Sequence, residues 1–218
     1  MARKRYGVIG LGNFGYHVAR TLYRNGHDVV AVDISREKVN RIQEHCTFAL
    51  VADAADREFL HRQGFAEMDA VVISTGERSD LATLVTLYLK ELKVRNILVK
   101  AVNADHGRIL EKVGAGEVIF PEKEMAEKIA RNLSMPNILE YLPLGEGYSI
   151  TEVAPPAGFN GKTLAQLDLR RRYQVTIIGI KDVLTDHFTL SPPADHVIKD
   201  SDLLVFVGRS QDIERALG

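Results

Sequence analysis

Six short apolar runs, separated by segments of helical periodicity, occupy residues 6–120 and constrain the fold more than any other feature. Valine- and isoleucine-rich runs in this alternation are typical of βαβ units, in which a parallel sheet is covered on both faces. The predicted strands span residues 6–9, 29–32, 48–52, 70–74, 97–101 and 118–120. They predict an α/β domain with a Rossmann-like, doubly wound parallel sheet.

A glycine motif follows the first predicted strand directly. Gly10, Gly12 and Gly15 fit the pattern G-x-G-x-x-G, and a helical segment continues to about residue 25. The first glycine permits a tight turn, the second lets the backbone approach a phosphate, and the third lets helix and strand pack closely. The motif, with Asn13 and Phe14, is therefore predicted to bind the phosphates of an adenine nucleotide. The alternative is a tight strand-to-helix turn without a ligand.

Acidic residues follow the second and third predicted strands. Asp33 is placed to accept hydrogen bonds from ribose hydroxyls and to repel a 2′-phosphate, which disfavours NADP. Asp53 has two interpretations: it accepts from an adenine amino group, or it caps the next helix. Their neighbours Ile34 and Ala54 belong to the same predicted cofactor-binding set.

The fourth and fifth predicted strands end at the same edge of the sheet, where open α/β folds bind ligands. Ser74, Thr75 and Gly76 come at the end of the fourth strand and are predicted to line the site. Lys100 lies within the apolar fifth strand, so its charge needs an anionic partner if it is buried. We predict a phosphate contact for Lys100, with a structural ion pair as the alternative.

Glu122 begins a helical segment that spans residues 122–133. A carboxylate in a first helical turn usually only complements the helix dipole. The functional alternative is a ligand to a cation that accompanies the phosphates.

The pattern changes in the second half of the chain. Short predicted strands at residues 148–153, 175–180 and 203–207 are separated by turns rich in proline and glycine. We predict a first domain at residues 1–134 and a small α+β domain at residues 135–218, with the boundary near Met135 and Pro136 because proline disfavours helix at the residue before it. In the first domain, the strongest helix signal follows the fourth strand, with Ser79 as its predicted N-cap.

Composition excludes several classes of protein. The 28 Lys and Arg residues are balanced by 29 Asp and Glu residues, which disfavours nucleic acid as a partner. Cys46 is the single cysteine, so no internal disulfide or cysteine-based zinc site is expected, as suits a reducing cytosol. No apolar stretch approaches the ~20 residues of a membrane span, so direct membrane insertion is not expected.

Catalytic chemistry is not apparent in the sequence. Hydride transfer needs an acid or base beside the reacting carbon, and the seven histidines, His106 among them, are interpreted as surface or capping residues. We therefore expect no catalytic residues and no enzyme activity.

These features resemble the RCK (regulator of potassium conductance) family, in particular the TrkA/KtrA cytosolic regulatory subunits of bacterial potassium uptake systems. In the first half the resemblance lies in VIGLGNFG at 8–15, VAVD at 30–33, VKA at 99–101, VGA at 113–115 and IFPEKEM at 119–125. In the second half it lies in GKTL at 161–164, LDLR at 167–170 and DLLVFVG at 202–208. The glycine motif is shared with many dehydrogenases, whereas the order of both halves is far more selective.

The resemblance implies an RCK C-terminal domain after the Rossmann domain, and a homo-oligomer, an octameric ring of dimers, docked on a membrane potassium pore subunit of the TrkH/KtrB type. The protein would then be cytoplasmic, held at the inner face of the membrane by its partner. ATP, ADP or NAD(H) would bind the first half and switch the ring. Asp33 would hold the ribose, Lys100 would lie near the phosphates, and Glu122 would bind a divalent or monovalent cation between subunits. The helix from Glu122 onward resembles the crossover that joins neighbouring lobes.

The resemblance also implies that the C-terminal domain can bind a second ligand, cyclic di-AMP, at a dimer interface. Residues 177–178 and the loop at 192–193 are the candidates for this site, and the alternative is that both are ordinary parts of a small sandwich core. One departure concerns Asn13: many KtrA-type relatives carry an arginine there that contacts the terminal phosphate of ATP. Asparagine lacks that cationic fork, so we expect weaker discrimination of ATP from ADP, or a preference for a dinucleotide. Two other functions stay open, an NAD-dependent oxidoreductase and a nucleotide-sensing module unrelated to transport.

Overall fold

The computed structural model describes residues 2–134 and 137–217. The chain forms two compact units, Met1–Lys123 and Glu124–Gly218. The predicted domain boundary near Met135 and Pro136 falls outside the described residues and stays a prediction.

The first unit contains one six-stranded parallel sheet. Its strands are β1 (Arg5–Ile9), β2 (Asp28–Asp33), β3 (Phe48–Val51), β4 (Ala70–Ile73), β5 (Ile97–Lys100) and β6 (Glu117–Ile119). The spatial order is β3-β2-β1-β4-β5-β6, with every neighbouring pair parallel. The predicted doubly wound sheet is thus confirmed, with strand ends shifted by at most one residue. The order reverses between β1 and β4, and such a switch point opens a crevice at the carboxyl ends of the strands.

Helices cover both faces of this sheet. They are α1 (Asn13–Arg24), α2 (Arg36–Ile42), α3 (Arg57–Arg62), α4 (Ser79–Glu91) and α5 (Ala104–Val113). A further helix, α6 (Pro121–Ser134), follows β6; the second unit begins within it, at Glu124. Successive side chains of a strand point to opposite faces, so Val8 and Ile9 of β1 enter two separate buried clusters. The cluster of Ile9 includes Val85 and Leu89 from α4. This double cover explains why the strands read as continuous apolar runs.

One local prediction in this unit was wrong, and one of the two alternatives for a histidine is excluded. Ser79 is the first residue of α4 and not its N-cap, which is Arg78; the Ser79 carbonyl accepts from the Thr83 hydroxyl inside the helix. Of the two alternatives for His106, a surface residue or a capping residue, the first is wrong, because His106 is only 6% exposed. Its Nδ1 accepts from the Val102 amide at 3.3 Å, so the ring satisfies a backbone donor ahead of α5.

The second unit is built on a five-stranded antiparallel sheet. Its strands are β7 (Ile138–Gly145), β8 (Tyr148–Val153), β9 (Thr176–Asp182), β10 (His187–Leu190) and β11 (Asp202–Arg209), in the order β10-β9-β11-β8-β7. The short helices α7 (Leu164–Leu167) and α8 (Leu169–Tyr173) and the terminal helix α9 (Ser210–Leu217) complete it. Leu204 and Phe206 of β11 are fully buried with Ile213 of α9. The predicted α+β class is confirmed.

The sequence did not predict β7 and β10, the two edge strands of this sheet. Most of their side chains are exposed, so the burial pattern that marks an inner strand is missing. Pro143 also lies within β7, and proline is tolerated in a sheet mainly at an edge.

Across the described residues, no helix combines the length and the hydropathy that a membrane span requires.

Candidate nucleotide-binding site

A cavity of about 180 Å³ lies at the carboxyl edge of the parallel sheet, beside the switch point. Its walls come from the ends of β1, β2, β3 and β4 and the segments that follow them. Nine of the predicted cofactor-binding residues line it: Gly10, Gly12, Asp33, Ile34, Asp53, Ala54, Ser74, Thr75 and Gly76. We call this cavity the nucleotide cleft.

The three motif glycines have three different steric environments. Gly10 has φ +89°, and a Cβ there would lie 2.1 Å from the Ser74 carbonyl oxygen. A Cβ on Gly15 would lie 1.9 Å from the Gly10 carbonyl oxygen. At Gly12, by contrast, a Cβ would meet nothing within 4 Å. Gly10 and Gly15 are therefore required by packing, whereas Gly12 leaves the backbone open toward the cleft.

Asn13, Phe14 and Gly15 lie in the first turn of α1 and do not line the cleft. The helix begins after Gly12, which has no side chain to cap the first amides. Unpaired amides at a helix start favour an anion. These residues can therefore contribute backbone donors to a phosphate even though their side chains lie elsewhere: Asn13 is exposed, and Phe14 packs on the buried cluster of Val8.

Asp33 connects the glycine turn to the next helix. Its Oδ2 accepts from the Leu11 amide at 2.7 Å, and its Oδ1 accepts from the Ser35 amide at 2.8 Å. The Lys38 ammonium lies 3.5 Å from Oδ2. The residue is only 8% exposed, yet it lines the cleft. Because a carboxylate has about four lone-pair positions, acceptor capacity is left for a ligand.

Asp53 is exposed in the turn after β3, where its Oδ1 accepts from the Ala55 amide at 2.9 Å. Asp56 is the N-cap of α3, and its side chain accepts from the Phe59 amide. The capping alternative for Asp53 is therefore wrong, because a different aspartate has that role. The contact of Asp53 with an adenine amino group stays a prediction.

Lys100 and Glu122 form an ion pair with each other. The Lys100 side chain is 15% exposed and that of Glu122 is 70% exposed, and neither residue lines the cleft. The hydrogen bond from Lys100 holds the pKa of the Glu122 carboxyl below its usual value. This geometry matches the alternative interpretation of Lys100, a structural ion pair. A contact of Lys100 with a phosphate stays a prediction.

A metal centre is not assembled within the part of the chain that the structure describes: no three His, Cys, Asp or Glu side chains there are grouped to hold an ion. Glu122 alone supplies too few ligands for a cation site. The cation role of Glu122 thus depends on further ligands from outside the chain and stays a prediction.

Sequence reasoning missed two cations and an apolar residue that line the cleft, Lys38, Arg78 and Leu81. Lys38 lies in the first turn of α2, and Arg78 lies at the end of the loop after β4. The glycine motif contains no position for either residue. The signal that could have found them is their place just after strand ends, since such residues face the ligand edge of the sheet.

The second unit has a groove of its own, about 380 Å³ in volume, on the side of α7, α8 and β9. It brings together Ile177 and Pro192, from the strand and the loop that the sequence singled out, with Leu164, Asp168 and Arg170. The groove thus has apolar walls and is also lined by two residues of opposite charge, Asp168 and Arg170.

Two family models match the chain in succession. The TrkA-N domain matches residues 6–121, and the TrkA-C domain matches residues 150–217. The first match spans the parallel-sheet unit, and the second spans β8 to α9.

Curated relatives match over nearly their full length. The chain is 41% identical over 212 residues to the Ktr system potassium uptake protein A of Bacillus subtilis (strain 168), covering 97% of this chain and 95% of the relative. It is 38% identical to protein C of the same organism, covering 98% and 96%. It is 32% identical to the Ktr system potassium uptake protein A of Vibrio alginolyticus, with 98% and 96% covered.

Solved structures share the fold at lower identity. The crystal structure of the GsuK RCK domain matches with a TM-score of 0.67 at 20% identity, and the GsuK channel bound to NAD matches with a TM-score of 0.67 at 19% identity. Both matches cover all of this chain, which spans 48% and 40% of those longer chains.

Proposed function

Because the chain belongs to the RCK family, among the TrkA/KtrA potassium uptake proteins, we propose that it is a cytoplasmic, nucleotide-binding regulatory subunit that gates a membrane potassium transporter. The observation that carries this proposal is the pairing of Asp33 with the open backbone of Gly12 in one cleft. Asp33 binds a sugar, and the open backbone at Gly12 admits a phosphate.

The cleft suits an adenine nucleotide. A phosphate at the start of α1 receives amide hydrogen bonds and the favourable end of the helix dipole. Asp33, on the neighbouring strand, accepts from the ribose, and its negative charge disfavours a 2′-phosphate. ATP, ADP and NAD(H) fit this chemistry, while NADP does not.

Binding is connected to the surrounding elements through Asp33. Its carboxylate joins the glycine turn at Leu11 to the start of α2 at Ser35, so a ligand that engages Asp33 acts on both. A nucleotide shifts the conformation only by the difference in its affinity for the two states. Exchange of one nucleotide for another would therefore gate ion flow without any covalent chemistry.

The proposed partners are other copies of the chain and a pore subunit of the TrkH/KtrB type. Helix α6 supports association, since Met125, Ile129 and Leu133 form an exposed apolar row at intervals of four residues. We propose an octameric ring of dimers, with Glu122 holding a cation between subunits. Native mass spectrometry measures the ring size directly, and co-purification with the pore subunit tests the transport role against a sensor unrelated to transport.

We propose that the groove of the second unit binds cyclic di-AMP. Ile177 and Pro192 offer apolar surface to an adenine, and Arg170 offers a cation to a phosphate. Calorimetric titration with cyclic di-AMP tests this assignment, with Arg170→Gln as the variant that should weaken binding.

An NAD-dependent oxidoreductase is the second candidate function, favoured by the glycine motif and Asp33 alone. Of the residues that line the cleft, none is a histidine, and the acidic ones are Asp33 and Asp53. Incubation with NADH and a panel of carbonyl substrates distinguishes the two functions, because a regulatory subunit leaves the absorbance of NADH unchanged.

The central experiment is a calorimetric titration of the purified protein with ATP, ADP and NADH. We expect saturable binding, with Asn13 leaving ATP and ADP within a small factor of each other. A large preference for ATP over both ADP and NADH would refute the interpretation of Asn13. No binding of any of the three would refute the proposed function itself.

A further inference from the structure

Two cationic side chains line the nucleotide cleft on opposite sides of β1. Lys38 follows β2, and Arg78 follows β4. The two strands flank β1 in the sheet. Each cation can therefore serve a different part of a ligand that lies across the end of β1.

The two cations differ in their existing partners. The Lys38 ammonium lies 3.5 Å from Oδ2 of Asp33, a carboxylate that is nearly buried. The guanidinium of Arg78 has a 4.0 Å contact with Asp80, and both of those side chains are mostly exposed. An ion pair of that length and exposure contributes little, so Arg78 can turn to a ligand at low cost.

Other residues predicted to contact phosphates are unsuited to this role. Asn13, in the first turn of α1, is neutral. Lys100 is paired with Glu122 and lies outside the lining of the cleft. Among the described residues, Arg78 is thus the cation of the cleft whose ion pair, with Asp80, is long and exposed.

We propose that Arg78 determines the specificity of the cleft for ligands with a second phosphate, by contacting that phosphate; this rests on the proposed function. The first phosphate lies at the glycine turn, with its ribose on the side of Asp33. The second then extends toward the loop after β4. A guanidinium there donates charge-assisted hydrogen bonds to it.

The spacing of the strands agrees with a ligand that extends from Asp33 toward Arg78. Strands β2 and β4 are two strand spacings apart, roughly 10 Å, which is comparable with the reach from a ribose hydroxyl to the second phosphate of an extended nucleotide. ADP, ATP and NAD(H) all carry that second phosphate and AMP does not. Arg78 would thus explain how one cleft accepts all three ligands while Asn13 leaves the third phosphate of ATP without a strong contact.

The loop that carries Arg78 is held against the glycine turn. The Thr75 hydroxyl donates to the Arg78 carbonyl at 3.1 Å. Gly10 passes so close to Ser74 that an added Cβ would overlap the Ser74 carbonyl. These contacts fix the backbone of Arg78 relative to the phosphate position and leave only its side chain to adjust.

The test is calorimetric titration of the full chain with AMP and ADP, comparing Arg78→Gln with the natural protein. We expect the ratio of the AMP to the ADP dissociation constant to fall about tenfold in R78Q, the size of a charge-assisted hydrogen bond at an accessible site. In Arg78→Lys the ratio of the AMP to the ADP dissociation constant should fall less than in R78Q. The matched control is Arg95→Gln, which removes the same charge from a groove at the opposite, amino edge of the sheet and should leave the ratio unchanged.

The outcomes separate this inference from the proposed function. An unchanged ratio in R78Q, or an equal loss for AMP and ADP, would overturn the role of Arg78 while nucleotide binding stands. An equal fall of the ratio in R95Q would assign the effect to net charge and would also overturn it. Failure of the natural protein to bind either nucleotide would overturn both. Melting temperatures of all variants establish that each is folded.

Discussion

The carboxylate of Asp33 accepts the amide of Leu11 at 2.7 Å, across 22 residues of sequence. The residue expected to hold a ribose therefore also holds the glycine turn in place. Ligand binding and local stability depend on the same side chain.

Replacing Asp33 with alanine should weaken the binding of ATP, ADP and NADH by about 1.5 to 3 kcal/mol, the range for a hydrogen bond to a charged group. It should also lower the melting temperature, because the amides of Leu11 and Ser35 lose their acceptor. Asp105→Ala is the control, since that side chain is 89% exposed on α5. An unchanged dissociation constant in a folded D33A variant would mean that the site is misplaced.

The glycines of the motif should separate stability from binding. Gly15→Ala places a Cβ 1.9 Å from the Gly10 carbonyl oxygen and should cost about 2 to 3 kcal/mol of unfolding free energy, as overpacking does. Gly12→Ala meets no neighbour and should cost less than about 1 kcal/mol. The added methyl of G12A should nevertheless keep a phosphate from the amides of α1 and weaken ADP binding. Denaturant unfolding and calorimetry measure the two effects, and tight ADP binding by G12A would contradict the phosphate position.

The ion pair of Lys100 and Glu122 should make stability depend on pH. Lys100 holds the pKa of Glu122 below its ordinary value of 4.5, so the stabilisation is present above that value and is lost as the pH falls through the lower pKa of the folded state. Glu122→Gln should therefore reduce stability at pH 7, by about 1 kcal/mol or less because Glu122 is well exposed. At pH values where the carboxyl is protonated, the variant and the natural protein should converge. Glu124→Gln, exposed in the same helix, controls for the loss of charge, and a difference that persists at low pH would contradict the argument.

Cys46 should be unreactive in the folded protein. Burial raises the pKa of its thiol from 9.0 to about 11, which leaves about a hundredfold less thiolate at pH 8. Ellman's reagent should label it slowly in native buffer and quickly in guanidinium chloride, while Cys46→Ala gives no signal. Since the folded state favours the neutral thiol, stability should fall as the pH rises from 9 toward 11. Rapid native labelling would show that α2 and its surroundings open more readily than the packing of Cys46 indicates.

Local sequence determined much of the first unit. The inner strands of the parallel sheet were predictable because their two covered faces require apolar runs, and the edge strands β3 and β6 because they are short apolar runs as well. The glycine turn was predictable because its glycines lie within one short motif, in which Gly15 packs on Gly10. Asp33 was predictable because it ends the strand beside the motif. The edge strands β7 and β10 of the second unit were not, because polar residues, and Pro143 in β7, interrupt their apolar residues.

In the first unit, sequence by itself thus determined the order of the strands along the chain and where they end, because periodicity and turn chemistry act over a few residues. Only the tertiary structure decided which side chains meet across those ends. It paired Lys100 with Glu122 and placed Lys38 and Arg78 on the two sides of the cleft. The reason is that such contacts depend on the order of strands in the sheet, β3-β2-β1-β4-β5-β6, which brings together residues that are far apart in the chain.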